Sequence, residues 1–108
     1  MNDLNIAGRL LQEPEKSQTA NGLKIARLKI AVDKLGKDNE DNYDVFEIVV
    51  FKELADIKVE IGQFIGVTGR LSANNYDKEG KTYYNCSIIG NSITTMGKWN
   101  PYHKIRIF

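Results

Sequence analysis

The segment KELADIKVEIG, Lys52–Gly62, interrupts a chain that otherwise keeps a period of two. Within it Leu54, Ile57 and Ile61 fall at helical spacing, and Gly62 follows where a helix C-cap would sit. This spacing predicts a short helix of roughly two to three turns. On either side the apolar residues alternate. LNIAGRL sets Leu4, Ile6, Gly8 and Leu10 against Asn5, Ala7 and Arg9. KIARLKIAVD sets Ala26, Leu28, Ile30 and Val32 against Ile25, Arg27, Lys29 and Ala31. VFEIVVFK is more continuously apolar, with Val45, Glu47, Val49 and Phe51 on one face and Phe46, Ile48 and Val50 on the other. FIGVTGRL (Phe64–Leu71) and TYYNCSIIG (Thr82–Gly90) complete the strand candidates.

The order is three strands, one short helix, two strands. That is the order of an OB-fold, an all-β, five-stranded Greek-key barrel with a helix between strands 3 and 4. Its open face and loops take oligonucleotides or oligosaccharides. Gly8, Gly66 and Gly69 inside strand patterns fit strongly bent barrel strands. Glu13-Pro14-Glu15 ends the first strand, and Asn21-Gly22 precedes the second. KLGKDNEDN, Lys34–Asn42, reads as a polar loop.

Composition narrows the classes. The 108 residues suit one domain. The net charge of +1 is far from histone-like, so any attraction to nucleic acid must be local. No apolar run approaches the ~20 residues of a membrane helix, and MNDLNIAGRL lacks the pattern of a secretory signal. Cys86 is the single cysteine, so no internal disulfide forms, which fits a reducing cytoplasm. One Cys and one His (His103) cannot build a tetrahedral zinc site. There are no paired acid/base residues and no phosphate-cradling Gly loop. The expectation is a non-enzyme with neither cofactor nor metal.

NNYDKEGKTYYN, Asn74–Asn85, places Tyr76, Tyr83 and Tyr84 around a charged Glu79-Gly80 tip. It reads as an exposed hairpin finger with aromatic rings at its base. Tyr83 and Tyr84 are adjacent, so they face opposite sides. Tyr84, in step with Cys86 and Ile88, is expected inward, and Tyr83 outward. Cys86 is expected to be a small buried apolar residue.

Four stretches, in order, resemble the bacterial and phage single-stranded DNA-binding protein family. MNDLNIAGRLLQEPE is similar to its opening strand and acidic Pro turn. NGLKIARLKIAVD is similar to its second strand after an Asn-Gly turn. VFEIVVFKELADI resembles its third strand running into the helix. GQFIGVTGRLSANNYDKEGKTYYNCSIIG resembles its fourth strand, long hairpin and fifth strand. The likeness covers about residues 1–96, which suggests an OB-fold domain over 1–96 and a short C-terminal extension over 97–108.

The resemblance implies binding of single-stranded DNA with little sequence preference, by stacking bases on aromatics and guiding the backbone along basic residues. Such proteins coat and protect single strands in replication, recombination and repair. Tyr76 falls at a family stacking position; the structural alternative is a cross-strand pair with Tyr83. Phe51 also matches a stacking position, with a core Phe as its alternative. Val45 and Leu35 fall where many family members carry Trp, and neither can stack a base. Lys24, Arg27, Lys29, Lys34, Lys78 and Lys81 form a candidate phosphate track, against the alternative of a solvated surface. Arg9 and Arg70 either contact phosphate or form ion pairs across the barrel. Glu47 and Glu53 oppose the track.

The resemblance also implies a homo-oligomer, tetramer or dimer, with Leu4–Leu10 as the contact. It further implies replication or recombination proteins as partners, and a bacterial or phage-infected bacterial cytoplasm. Family members usually continue into a linker and an acidic Pro-Phe tip. GKWNPYHKIRIF ends basic and apolar instead, which fits either a natural short form or a truncated one. Trp99 and Tyr102 could stack, pack on the barrel or meet a neighbouring subunit. The near-neutral charge and the missing tryptophans leave a second reading open, an OB-fold adaptor of the primosome type with weak DNA binding. Stacking and phosphate contacts tolerate either sugar, so the residues do not choose DNA over RNA.

Overall fold

The alternating strands bury one row of side chains around a single core. In the computed structural model, which describes residues 1–34 and 42–98, that core is Leu10, Ala26, Leu28, Ile30, Ile48, Val50, Ala55, Val59, Ile65, Val67 and Ile88. The strands are β1 (Leu4–Leu10), β2 (Glu15–Gln18), β3 (Lys24–Asp33), β4 (Tyr43–Phe51), β5 (Gln63–Lys78) and β6 (Lys81–Lys98). Sheet order is β1-β5-β6-β4-β3-β2, and a β1–β3 pairing closes the barrel. All pairs are antiparallel except β4–β6, which is parallel and short, Ile48↔Ile88 and Val49↔Ile89. This is the OB-type barrel expected from the element order. β1 and β3 keep the bounds read from their alternation.

Three features depart from the sequence reading. First, the helix is a single 3-10 turn, Lys52–Asp56. IKVEI, which follows Asp56, also alternates, and its β-branched residues resist helix. The chain leaves the turn in extended form, burying Val59 while Ile61 stays 52% exposed. Gly62 has φ 86° and belongs to the next turn, where the Gln63 N–H donates to the Glu60 carbonyl at 3.0 Å. It caps no helix.

Second, β2 is an additional strand. Its residues Glu15, Lys16, Ser17 and Gln18 are all exposed, so it carries no apolar signal. It forms because the Asn21-Gly22 turn folds it onto β3, with the Thr19 N–H donating to the Leu23 carbonyl at 2.9 Å.

Third, β5 and β6 run well past the barrel as a two-stranded finger, paired without interruption from Arg70↔Ile89 to Lys78↔Lys81. Among the described residues no core lies beneath it. Tyr84 is therefore 78% exposed, and Cys86 is exposed rather than buried. The expected alternation is correct, but the expected burial of both is not. Of the strand glycines, Gly8 and Gly69 are forced by close backbone approach: a Cβ would overlap the carbonyl oxygens of Ala31 and Ile89. Gly66 meets no such contact.

Candidate nucleic-acid interface

Residues opposite one another in a sheet share a face, so the register maps the surface. On the outer side of β3 and β4 the pairs are Ile25↔Phe51, Arg27↔Val49, Lys29↔Glu47 and Ala31↔Val45. Val49 continues to Ile89, and Ile89 to Arg70. One row, Arg27–Val49–Ile89–Arg70, thus crosses four strands. From Arg70 and Ile89 the same face climbs the finger through Ser72↔Ser87, Asn74↔Asn85, Tyr76↔Tyr83 and Lys78↔Lys81. The Asn74 Nδ2 donates to Ser87 Oγ at 3.0 Å across it. Phe51 lies two residues beyond this row in one direction, and Tyr83 six residues in the other. At about 3.3 Å per residue the face is about 26 Å long.

The finger has two unlike faces. Arg70, Lys78 and Lys81 all lie with Tyr76 and Tyr83. The opposite face carries Leu71, Ala73, Asn75, Tyr84 and Cys86, together with Asp77, which accepts from Thr82 Oγ1 at 2.7 Å. Tyr76 and Tyr83 stack on each other, ring centroids 5.2 Å apart and planes 15° from parallel. The cross-strand pair expected as the structural alternative for Tyr76 is formed. The pair steadies the finger, and the two rings, 49% and 42% exposed, still present aromatic surface to solvent.

Phe51 is half-buried on the outer face and does not belong to the core cluster. Lys29 is half-buried beside Glu47, and Arg27 Nε lies 3.8 Å from the Glu47 carboxylate. Lys24 and Lys34 fall on the other parity, at the two ends of β3. Lys24 pairs with Asp56 at 2.9 Å and Lys34 with Asp44 at 3.4 Å. These exposed pairs contribute about 0–1 kcal/mol each, so a phosphate can compete for them. The structure therefore gathers Phe51, Arg27, Lys29, Arg70, Tyr76, Tyr83, Lys78 and Lys81 on one face, and sets Lys24 and Lys34 apart.

Arg9 forms no ion pair across the barrel among the described residues. Its guanidinium lies 5.5 Å from the centre of the Tyr43 ring. That contact was not legible locally, because it depends on β1 closing against β3. Val49 lies on the Phe51 face as its alternation indicated, and Ile89 meets it from β6 as an apolar link not expected from the sequence. Val45, where the family often carries Trp, is 52% exposed on this face. Leu35, Trp99, Tyr102 and His103 lie outside the described residues. Among the described residues no group of three or more His, Cys, Asp or Glu could hold a metal ion.

The profile of the single-strand binding protein family matches residues 1–96. The chain belongs to that family. As a single-strand binding family member it is 33% identical over 99 residues to "Single-stranded DNA-binding protein 1" of Staphylococcus aureus (strain Mu50), covering 86% of this chain and 64% of that one. To "Single-stranded DNA-binding protein 1" of Streptococcus pyogenes serotype M6 it is 32% identical over 91 residues, covering 80% and 70%. The chain spans about 64% of the length of these staphylococcal relatives. Among solved structures it is similar to the Plasmodium falciparum SSB complex with ssDNA, with TM-score 0.71 and 21% identity, over 89% of this chain and 95% of that one. It is also similar to a deletion mutant of the single-stranded DNA binding protein from Thermus aquaticus, with TM-score 0.74 and 22% identity, over 89% and 50%. Those TM-scores establish the shared fold of this family member.

Proposed function

We propose that this chain binds single-stranded DNA with little sequence preference, coating and protecting it during replication, recombination or repair. The observation that carries this reading is the continuous outer face. It joins a stacked tyrosine pair and three finger cations to Arg27, Lys29 and Phe51 on the barrel. Bases stack on Tyr76 and Tyr83 at one end and on Phe51 at the other. Phosphates follow Arg70, Arg27 and Lys29 between them, with Lys78 and Lys81 at the finger end. No chemistry is performed; the effect is sequestration. The names of the relatives support the ligand, and the family supports a bacterial or phage-infected cytoplasm. No helix among the described residues is long and apolar enough to cross a membrane.

A homo-oligomer, dimer or tetramer, goes with this reading. β1 pairs with β5 from Leu4 to Arg9, but with β3 only at Arg9 and Leu10. Its first half thus keeps one edge open for a second copy.

The test is fluorescence anisotropy of labelled oligo(dT) at two salt concentrations, with a duplex of equal length beside it. The expected result is tight binding to the single strand, weak binding to the duplex and loss with salt. Equal binding to both would reduce the finger to structure. A second reading, the adaptor with weak DNA affinity, is favoured by one observation: Asp56, Glu47 and Asp44 already partner Lys24, Arg27 and Lys34. Binding to neither probe would select it.

The track has its own test. Arg27→Ala with Lys29→Ala should lower the steepness of log K against log salt by about 0.7 for each phosphate the two side chains neutralise. An unchanged slope would remove both residues from the path.

A further inference from the structure

Lys52 is one of two non-glycine residues with positive φ among the described residues, at 61°. The other, Glu79 at 52°, is explained by its turn, since it precedes Gly80 (φ 77°) at the finger tip, where both central residues of a tight hairpin turn left-handed. Lys52 has no such turn. It stands where β4 passes into the 3-10 turn, directly after Phe51. A glycine would take this backbone freely, and a side chain takes it under strain. Residues held in such backbone cluster at binding sites and ligand clamps.

The surroundings suit such a site. Lys52 lines a shallow hollow of about 240 Å³ with Gly22, Leu23, Lys24, Glu53 and Asp56. Lys52 directly follows Phe51, at the end of the outer face away from the finger. The hollow has two cations. Lys24 is held by Asp56 at 2.9 Å, whereas the Lys52 ammonium has no ion pair or hydrogen bond among the described residues. Glu53, its sequence neighbour, is the opposing charge in the hollow. A strand lying from Tyr83 to Phe51 must leave the face here, and the backbone next to the base on Phe51 needs a cation within reach.

We infer that Lys52 is a phosphate contact, held in left-handed backbone, that receives the bound strand as it passes Phe51. Lys52 takes this part only if the outer face holds single-stranded DNA as proposed above. The deciding variant is Lys52→Gly, because a structural role and a binding role predict opposite combinations. Glycine relieves the backbone, so the Tm should rise by about 2–4 °C, a fraction of a kcal/mol in a domain this size. The same change should weaken oligo(dT) binding about three- to fivefold at low salt, the size of one exposed ion pair. It should also lower the salt slope by about 0.7. Lys52→Arg, which keeps the charge and the backbone, should retain both affinity and slope. If wild-type protein binds and Lys52→Gly binds equally well with the same slope, the assignment is wrong. Weaker binding together with a lowered Tm would mark Lys52 as structural and overturn it too. Absence of binding by the wild type would instead bring down the single-stranded DNA reading itself.

Discussion

Tyr76→Ala is expected to weaken binding to oligo(dT), oligo(dA) and oligo(dC) alike, by about 5- to 150-fold. The magnitude follows from base–aromatic stacking at about 1–3 kcal/mol per base, converted at about 1.4 kcal/mol per factor of ten. The substitution removes half of a two-ring platform. Tyr76 and Tyr83 lie 5.2 Å apart and nearly parallel, so each ring has one face on its partner and one toward solvent. Without Tyr76 the remaining ring has no partner to fix its plane, and a base meeting it must order it first. Tyr76→Phe keeps the platform and should bind as wild type, because stacking uses the ring and not the hydroxyl. Circular dichroism keeps the test clean, since the finger is outside the core and the barrel should be unaltered. A loss confined to one base would point to hydrogen-bond recognition instead. No loss would leave the pair as a hairpin clasp.

The second large effect is on stability, and it separates two side chains that the alternation pattern treats alike. Leu28→Ala should destabilise the fold by about 2–5 kcal/mol, measured by denaturant unfolding. Leu28 is fully buried at the centre of β3, opposite Ile48 and within the cluster that includes Ile30, Val50 and Ile65. The surrounding strands are hydrogen-bonded to both sides and cannot close around the void, so the cavity cost adds to the forfeited transfer energy. Against a total of about 5–15 kcal/mol, that is a large share. Cys86→Ser, also in phase with core residues, should change stability by less than about 0.5 kcal/mol. A Cys86→Ser effect of the same size as Leu28→Ala would mean that the underside of the finger is covered in solution.

Much of the site was legible because its signals are local. Tyr76 and Tyr83 bracket a Glu-Gly tip at a spacing that makes them cross-strand partners. Arg27 and Lys29 alternate with Leu28 and Ile30, which places them outside wherever the barrel forms. Lys24 and Lys34 were harder to place. They belong with Arg27 and Lys29 by composition, but they stand at the ends of β3, where alternation stops being a guide. Their acidic partners Asp56 and Asp44 come from a turn and a strand that only the fold brings near. Lys52 left no trace at all in the pattern, because a left-handed backbone at a lysine has no compositional signature.

The apolar alternation alone carried the strand bounds of β1 and β3, the side on which each residue lies and, with the four motif stretches, the family. Period two is a property of the extended chain itself, so it survives without knowledge of neighbours. Burial is different in kind. Tyr84 and Cys86 keep step with Ile88, yet Ile88 is buried and they are not, because the barrel ends between them. The same holds for the helix, which is shorter than its spacing suggested. Ile61 has the right spacing for the core, but the extended path after Asp56 presents Val59 to it instead. Alternation states which way a side chain points. Whether anything stands there to receive it depends on strands tens of residues away, and that was settled only when β1 closed against β3 and the finger was left outside.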